Sequence, residues 1–259
     1  MTEHSRRWCR ERSMVPEKDR VVVVTGASRG LGRGCALAFA ARGTEVALLA
    51  RSGSELESVA EEIRARGGRA RVIACDVTRD EEVQWAFASL ERCDILINNA
   101  GTNQPQPFLT VEAATLDALL TLNVRSMFMT AQAAARVMAR ARSGAIINMS
   151  SQMGHVGAAG RTVYCMTKHA IEGLTKAMAI ELAPLGIRVN SVAPTYIETP
   201  MTRAFLEDAA FREDVVRRIP LGRIGTIEEV AAAVAFLASP LASLITGTSL
   251  LADGGYTAQ

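Results

Sequence analysis

Apolar positions along this chain switch between two patterns, and the switching is regular. Val21–Val24 is a short β-branched run without a polar interruption, as expected of a strand buried on both faces. It runs into Thr25-Gly-Ala-Ser-Arg-Gly-Leu-Gly32, then a stretch of helical spacing from Arg33 to Arg42 that stops at Gly43. The same unit recurs as strand Glu45–Ala50, helix Ser54–Arg66 closed by Gly67 and Gly68, strand Val72–Cys75, helix Asp80–Leu90 and strand Ile95–Ile97. After an irregular stretch holding Pro105 and Pro107, helical spacing resumes from Glu112 to Arg140, followed by strand Ala145–Met149. A long helix opens at Thr162, with apolar Val163, Ile171, Leu174, Met178 and Leu182 on its period. Strand Ile187–Val192 comes next, then a polar segment from Thr195 to Pro220 with helical pieces and no strand. Helix Thr226–Ala238 begins with a capping pair, Thr226 and Glu229, and strand Thr248–Leu251 is last. Strands joined through helices pair in parallel, so the predicted fold class is α/β: a single-domain, Rossmann-type doubly wound sheet of about seven strands with helices on both faces. No linker or repeat divides it; the domain is placed over 18–259, with 1–17 as a disordered extension.

Composition narrows the function classes. The balance of 49% hydrophobic and 22% charged residues suits a core-forming globular chain. Net charge is +2, and four arginines against two glutamates within residues 1–13 supply all of it, leaving a neutral body with no nucleic-acid footprint. Those residues are read as a loose tail, or as preceding a natural start at Met14. No apolar run is long enough to span a membrane, and the N-terminal stretch lacks the apolar core of a secretory signal. Five cysteines without a Cys-x-x-Cys, and three histidines without ligand spacing, argue for a reducing cytoplasm and no metal site.

Two stretches carry chemistry. The glycines at 26, 30 and 32 lie between a buried strand and a helix, where free backbone N–H groups and the helix dipole suit a pyrophosphate. At the end of the second strand, where a carboxylate would hold the ribose of NAD, stand Arg51 and Ser52, with Arg29 in the loop as a second guanidinium. Arginines suit a 2′-phosphate, so NADP(H) is favoured over NAD(H). In the long helix, Tyr164 and Lys168 are one turn apart on one face. An ammonium beside a phenol is expected to draw its pKa down from about 10 and make it a working proton donor.

Together these pieces resemble the short-chain dehydrogenase/reductase family over residues 20–255. The resemblance rests on Thr25–Gly32, Cys75-Asp-Val77, Asn98-Asn-Ala-Gly101, Asn123, Ser151, Tyr164-x-x-x-Lys168, Arg188-Val-Asn190 and Asp253-Gly-Gly255. It implies interconversion of a ketone and a secondary alcohol, with Tyr164 as general acid/base, Lys168 tuning it and holding the nicotinamide ribose, Ser151 bonding the substrate oxygen, and Asn123 positioning a water in a proton relay. It implies cofactor contacts from Gly26, Ser28, Arg29, Gly30, Leu31, Gly32, Arg51, Ser52, Asp76, Val77, Asn99, Ala100, Gly101, Tyr164, Lys168, Pro194, Ile197 and Thr199. One departure is Thr195, where the family usually has glycine.

The substrate-facing segments are expected at Thr102–Thr110, with Asn103 and Gln104; at Gln152–Thr162, with His155; and at Tyr196–Ile219, where Met201, Phe205, Leu206 and Phe211 read as an apolar lid. A small ketone, sugar or polyol is favoured. The alternatives are a 3-oxoacyl-thioester reductase, for which Arg140 and Arg142 would meet an acidic carrier protein, and a non-catalytic NADP(H) sensor. Surplus apolar surface on the two long helices, with the resemblance, points to a homotetramer or homodimer.

Overall fold

The computed structural model describes residues 20–259; the expected N-terminal extension lies outside them. Seven parallel strands form one sheet in the order β3-β2-β1-β4-β5-β6-β7. They are β1 Val21–Thr25, β2 Glu45–Ala50, β3 Arg69–Ala74, β4 Ile95–Asn98, β5 Gly144–Met149, β6 Ile187–Pro194 and β7 Ser249–Ala252. The strand order reverses between β1 and β4, which opens a crevice at their carboxyl ends, the usual place for a ligand in such a sheet.

The helices are α1 Gly30–Ala40, α2 Gly53–Ala65, α3 Asp80–Ala88, α4 Ala113–Leu120, α5 Ser126–Ala141, α6 Thr162–Leu182, α7 Pro200–Leu206, α8 Ala209–Arg217 and α9 Ile227–Ala238. The pleat of β1 divides the core. Val22 and Val24 join Phe39, Leu48, Leu56, Ile63 and Val234 under α1, α2 and α9. Val23 joins Leu49, Phe87, Leu96, Met138 and Ile146 under α3 and α5. Helices α1 and α9 approach so closely that a Cβ on Gly34 would stand 2.0 Å from Cγ2 of Ile227. The start of α9 is fixed by the expected capping box: Thr226 N–H donates to Glu229 Oε2 at 2.9 Å, and Glu229 N–H donates back to Thr226 Oγ1.

Three expectations are corrected. Strand β3 begins at Arg69 rather than Val72, because it is a sheet edge whose residues alternate with solvent, so arginines stand within it. Helix α1 begins at Gly30, inside the glycine turn, rather than at Arg33. The helix read as continuous from Glu112 to Arg140 is interrupted by a π-turn over Thr121–Arg125. Helical spacing holds on either side of this single turn, so the stretch reads as one helix in the sequence.

Candidate active site

The carboxyl ends of β1, β4, β5 and β6 bring the expected residues to one rim. Gly26 (φ +64°) and Gly30 (φ +56°) turn the chain in the left-handed region that disfavours a side chain. A Cβ on Gly32 would lie 2.2 Å from the Gly26 carbonyl oxygen, so this position admits only glycine. Arg29, at the N-cap of α1, makes no side-chain capping bond. The first-turn N–H groups of α1 are therefore left to an external acceptor, which fits the pyrophosphate of a dinucleotide. The turn is braced from β4: Asn99 Nδ2 donates to the Thr25 carbonyl at 3.0 Å, and Thr25 Oγ1 accepts from the N–H groups of Asn99 and Ala100. Asn99 thus shapes the cradle through its side chain.

At the end of β2, Arg51 is exposed, and neither its guanidinium nor that of Arg29 makes a hydrogen bond or ion pair with another described residue. Ser52 uses its hydroxyl to cap α2, accepting from Glu55 N–H at 3.3 Å. Beyond β3, Asp76 Oδ1 accepts from Thr78 N–H and hydroxyl, bonds that together with the Arg51 charge hold its carboxyl below the usual range against the effect of burial. Val77 is buried behind it.

Tyr164 and Lys168 face the end of β5 from α6. The ammonium donates to the Met149 carbonyl at 2.8 Å and lies 5.5 Å from the Tyr164 ring centroid. Burial lowers Lys168 to about 8, opposed by the charge of Glu172 one turn on. Burial pushes the Tyr164 phenol up to about 12; a hydrogen bond with Ser151 and the charge of Arg161 act against it. The phenol therefore stands above its ordinary value here rather than below it. The ammonium is engaged by the β5 carbonyl, and desolvation outweighs the neighbouring charges. Ser151 caps the turn after β5 by accepting from Met153 N–H at 3.2 Å.

Asn123 sits in the π-turn, fully buried. Its amide donates to the Thr102 carbonyl at 2.8 Å and to Thr167 Oγ1 at 3.2 Å, and accepts from Thr102 N–H at 2.9 Å. Both donors are taken, so its side chain fastens the loop at 102 to the residue beside Lys168. Behind the rim runs a buried polar chain: Thr130 Oγ1 donates to Asn98, Asn98 Nδ2 to Asn148 Oδ1, and Asn148 Nδ2 to Thr175 Oγ1. Asn98 belongs to a quoted motif, whereas Thr130, Asn148 and Thr175 fell inside elements whose apolar period gave no reason to single them out.

Pro194 ends β6, and Ile197 and Thr199 are buried just beyond it. Thr195 takes no left-handed φ, so its backbone has no need of glycine. Its hydroxyl is buried without a protein partner and borders a cavity of about 540 Å3 shared with Ile197, Leu221 and Leu251, which none of Asn123, Ser151, Tyr164 and Lys168 lines. The aromatic cover is present: Phe211 lies 5.9 Å from Tyr196 and 6.4 Å from Phe205, ring to ring. His155 Nε2 lies 2.9 Å from Ser249 Oγ and 3.5 Å from Glu172 Oε1. Arg161, three residues before Tyr164, was not singled out by any sequence motif; its guanidinium lies 4.9 Å over the Phe205 ring.

Residues 26–257 match the family described as enoyl-(acyl carrier protein) reductase. The chain is 37% identical over 240 residues to L-xylulose reductase from Bos taurus, covering 92% of this chain and 97% of that protein. It is 38% identical over 241 residues to the 3-oxoacyl-acyl-carrier-protein reductase FabG of Aquifex aeolicus, covering 91% and 96%. The crystal structure of a gluconate 5-dehydrogenase from Burkholderia cenocepacia, in complex with NADP and tartrate, superposes with a TM-score of 0.90 at 34% identity, over 93% of this chain and 96% of that one.

Proposed function

Because this chain belongs to the short-chain dehydrogenase/reductase family, we propose that it interconverts a small ketone, sugar or polyol carbonyl with its secondary alcohol, using NADP(H). It is an oxidoreductase acting on CH–OH groups. The observation that carries the finer reading is the meeting of Tyr164, Ser151 and Lys168 at the rim where α1 presents its free N–H groups. When bound, the nicotinamide supplies or takes the hydride. The chain's share is orientation and a proton. Ser151 bonds the substrate oxygen, and Tyr164 gives its proton to that oxygen during reduction or takes it during oxidation. Lys168, anchored on the Met149 carbonyl, would hold the nicotinamide ribose, and Asn123 fixes the loop and helix on either side.

A panel of ketones, ketoses and polyols, followed by the change in reduced-nicotinamide absorbance, tests this. Turnover of small carbonyls is expected; tight NADPH binding with no turnover across the panel would leave the sensor reading in its place. The thioester alternative has support in the likeness to FabG. Against it, Arg142 is engaged elsewhere: it closes α5 in the left-handed region and donates to the Pro184 carbonyl at 2.8 Å.

Preference for NADP(H) is supported by the guanidiniums of Arg29 and Arg51, which make no hydrogen bond or ion pair among the described residues, and by Arg51 and Ser52 standing where a carboxylate would follow β2. Arg51→Glu is expected to lower kcat/KM for NADPH by about tenfold to a hundredfold, the worth of a charged hydrogen bond, and to spare NADH. Equal losses with both cofactors, measured side by side, would refute it. Phe128 on α5 and Met166 on α6 are exposed, which supports pairing of these helices in a homodimer or homotetramer. A cytoplasmic setting accords with four buried free cysteines and with the absence, among the described residues, of a helix able to cross a membrane.

A further inference from the structure

We propose that Arg161 selects the substrate and that it selects a carboxylate, so that the natural ketone or alcohol is a keto or hydroxy acid rather than a neutral polyol. The inference rests on the carbonyl–alcohol reading above and adds a substrate class to it.

The guanidinium of Arg161 makes no ion pair with any described residue, and its Nη1 is buried with no protein acceptor. A buried charged donor in that condition is costly and calls for a partner. It is held in place from below by the Phe205 ring, a cation–π contact. It stands close enough to Tyr164 and Tyr196 to pull both phenols down. The guanidinium therefore lies between the proton donor and the aromatic cover. The acid near Tyr196, Asp214, is taken, pairing with Arg217 and Arg218. A planar fork with a buried free arm suits the two oxygens of a carboxylate.

Two further groups refine the class. Gln152, next to Ser151 and 1% exposed, has an amide oxygen without a partner, and so does Asn103. The loop bearing Asn103 is tied to the residue before Arg161, Gln106 N–H donating to the Gly160 carbonyl at 3.0 Å. Two such unpartnered acceptors, in the segments that precede Arg161 and follow Ser151, suit hydroxyl groups along the acid's chain. A hydroxyl or a thioester carbonyl could accept one hydrogen bond from Nη1, but only a carboxylate brings a neutralising charge and two oxygens to the fork.

The test uses NADPH-loaded enzyme with 2-oxobutyrate, 4-oxopentanoate and 5-oxohexanoate, each against its methyl ester, which keeps the skeleton and loses the charge. Turnover and thermal-shift binding are both read, for wild type, Arg161→Met and Arg161→Lys. At least one acid is expected to be preferred over its ester. Arg161→Met should cut that acid-to-ester ratio by about tenfold to a hundredfold, and Arg161→Lys should restore part of it. The ratio cancels any general loss from misfolding or from a changed Tyr164. Esters reduced as well as acids, or an unchanged ratio in Arg161→Met, would overturn the proposal while leaving the oxidoreductase reading intact. Acids that bind through Arg161 with no ketone turned over would uphold it and sink that reading instead.

Discussion

Replacing Tyr164 by phenylalanine is expected to lower kcat for carbonyl reduction by about 10²–10⁴-fold while leaving NADPH affinity within a few-fold. The substitution removes one oxygen from a half-buried ring and leaves the helix, the ring packing and the Lys168 bond to the Met149 carbonyl in place. Only the proton and the hydrogen bond with Ser151 are lost. The direction of the pH dependence follows from the phenol's position. With Tyr164 raised to about 12, the protonated form dominates through neutral pH, so reduction should be flat there and oxidation, which needs the phenolate, should climb as pH rises. Near-normal turnover by the variant, in an assay where NADPH titration shows it folded and loaded, would remove Tyr164 from the chemistry. A loss confined to KM would reassign it to binding.

The parts of this site that were legible in the sequence are those fixed by short spacing. Tyr164 and Lys168 share a helix face because four residues make about one turn, and the glycines at 26, 30 and 32 declare a turn no other residue could make. The sheet was legible because β-branched runs and helical spacing alternate without ambiguity in the interior strands; β3 was misjudged at its start, where an edge position lets arginines into a strand. What was not legible depends on contacts far apart in the chain. The fastening of Asn123 to Thr102 and Thr167 spans 21 and 44 positions, and the π-turn that carries it leaves the pattern on either side undisturbed. The net position of the tyrosine was not legible for a similar reason. Proximity along the helix was readable, but the competing Met149 carbonyl comes from β5, and the degree of burial is a property of the whole fold.

That burial makes Lys168→Met the more informative companion experiment: activity and stability are expected to move in opposite directions. Lys168 is 4% exposed and its pKa falls to about 8 from 10.5. The folded state thus disfavours the charged lysine by about 3 kcal/mol relative to the unfolded chain, at about 1.4 kcal/mol per pKa unit. The Glu172 attraction is already inside that net figure, since it opposes the lowering. Methionine matches the stem and carries no charge. It forfeits one hydrogen bond to the Met149 carbonyl, worth about 1 kcal/mol. Near pH 7 the variant should therefore be more stable than the parent by about 2 kcal/mol, although turnover falls by two orders of magnitude or more for want of the ammonium that would hold the nicotinamide ribose. Between pH 8 and 10.5 the unfolded lysine keeps a proton that the folded one has lost, so the parent's stability rises with pH across this window and the gap should close. Urea unfolding of both proteins at neutral pH and near pH 10 reads this directly. A variant less stable than the parent at neutral pH would mean that Lys168 is a net contributor to the fold. A gap that does not change with pH would mean that its charge is not what the fold resists.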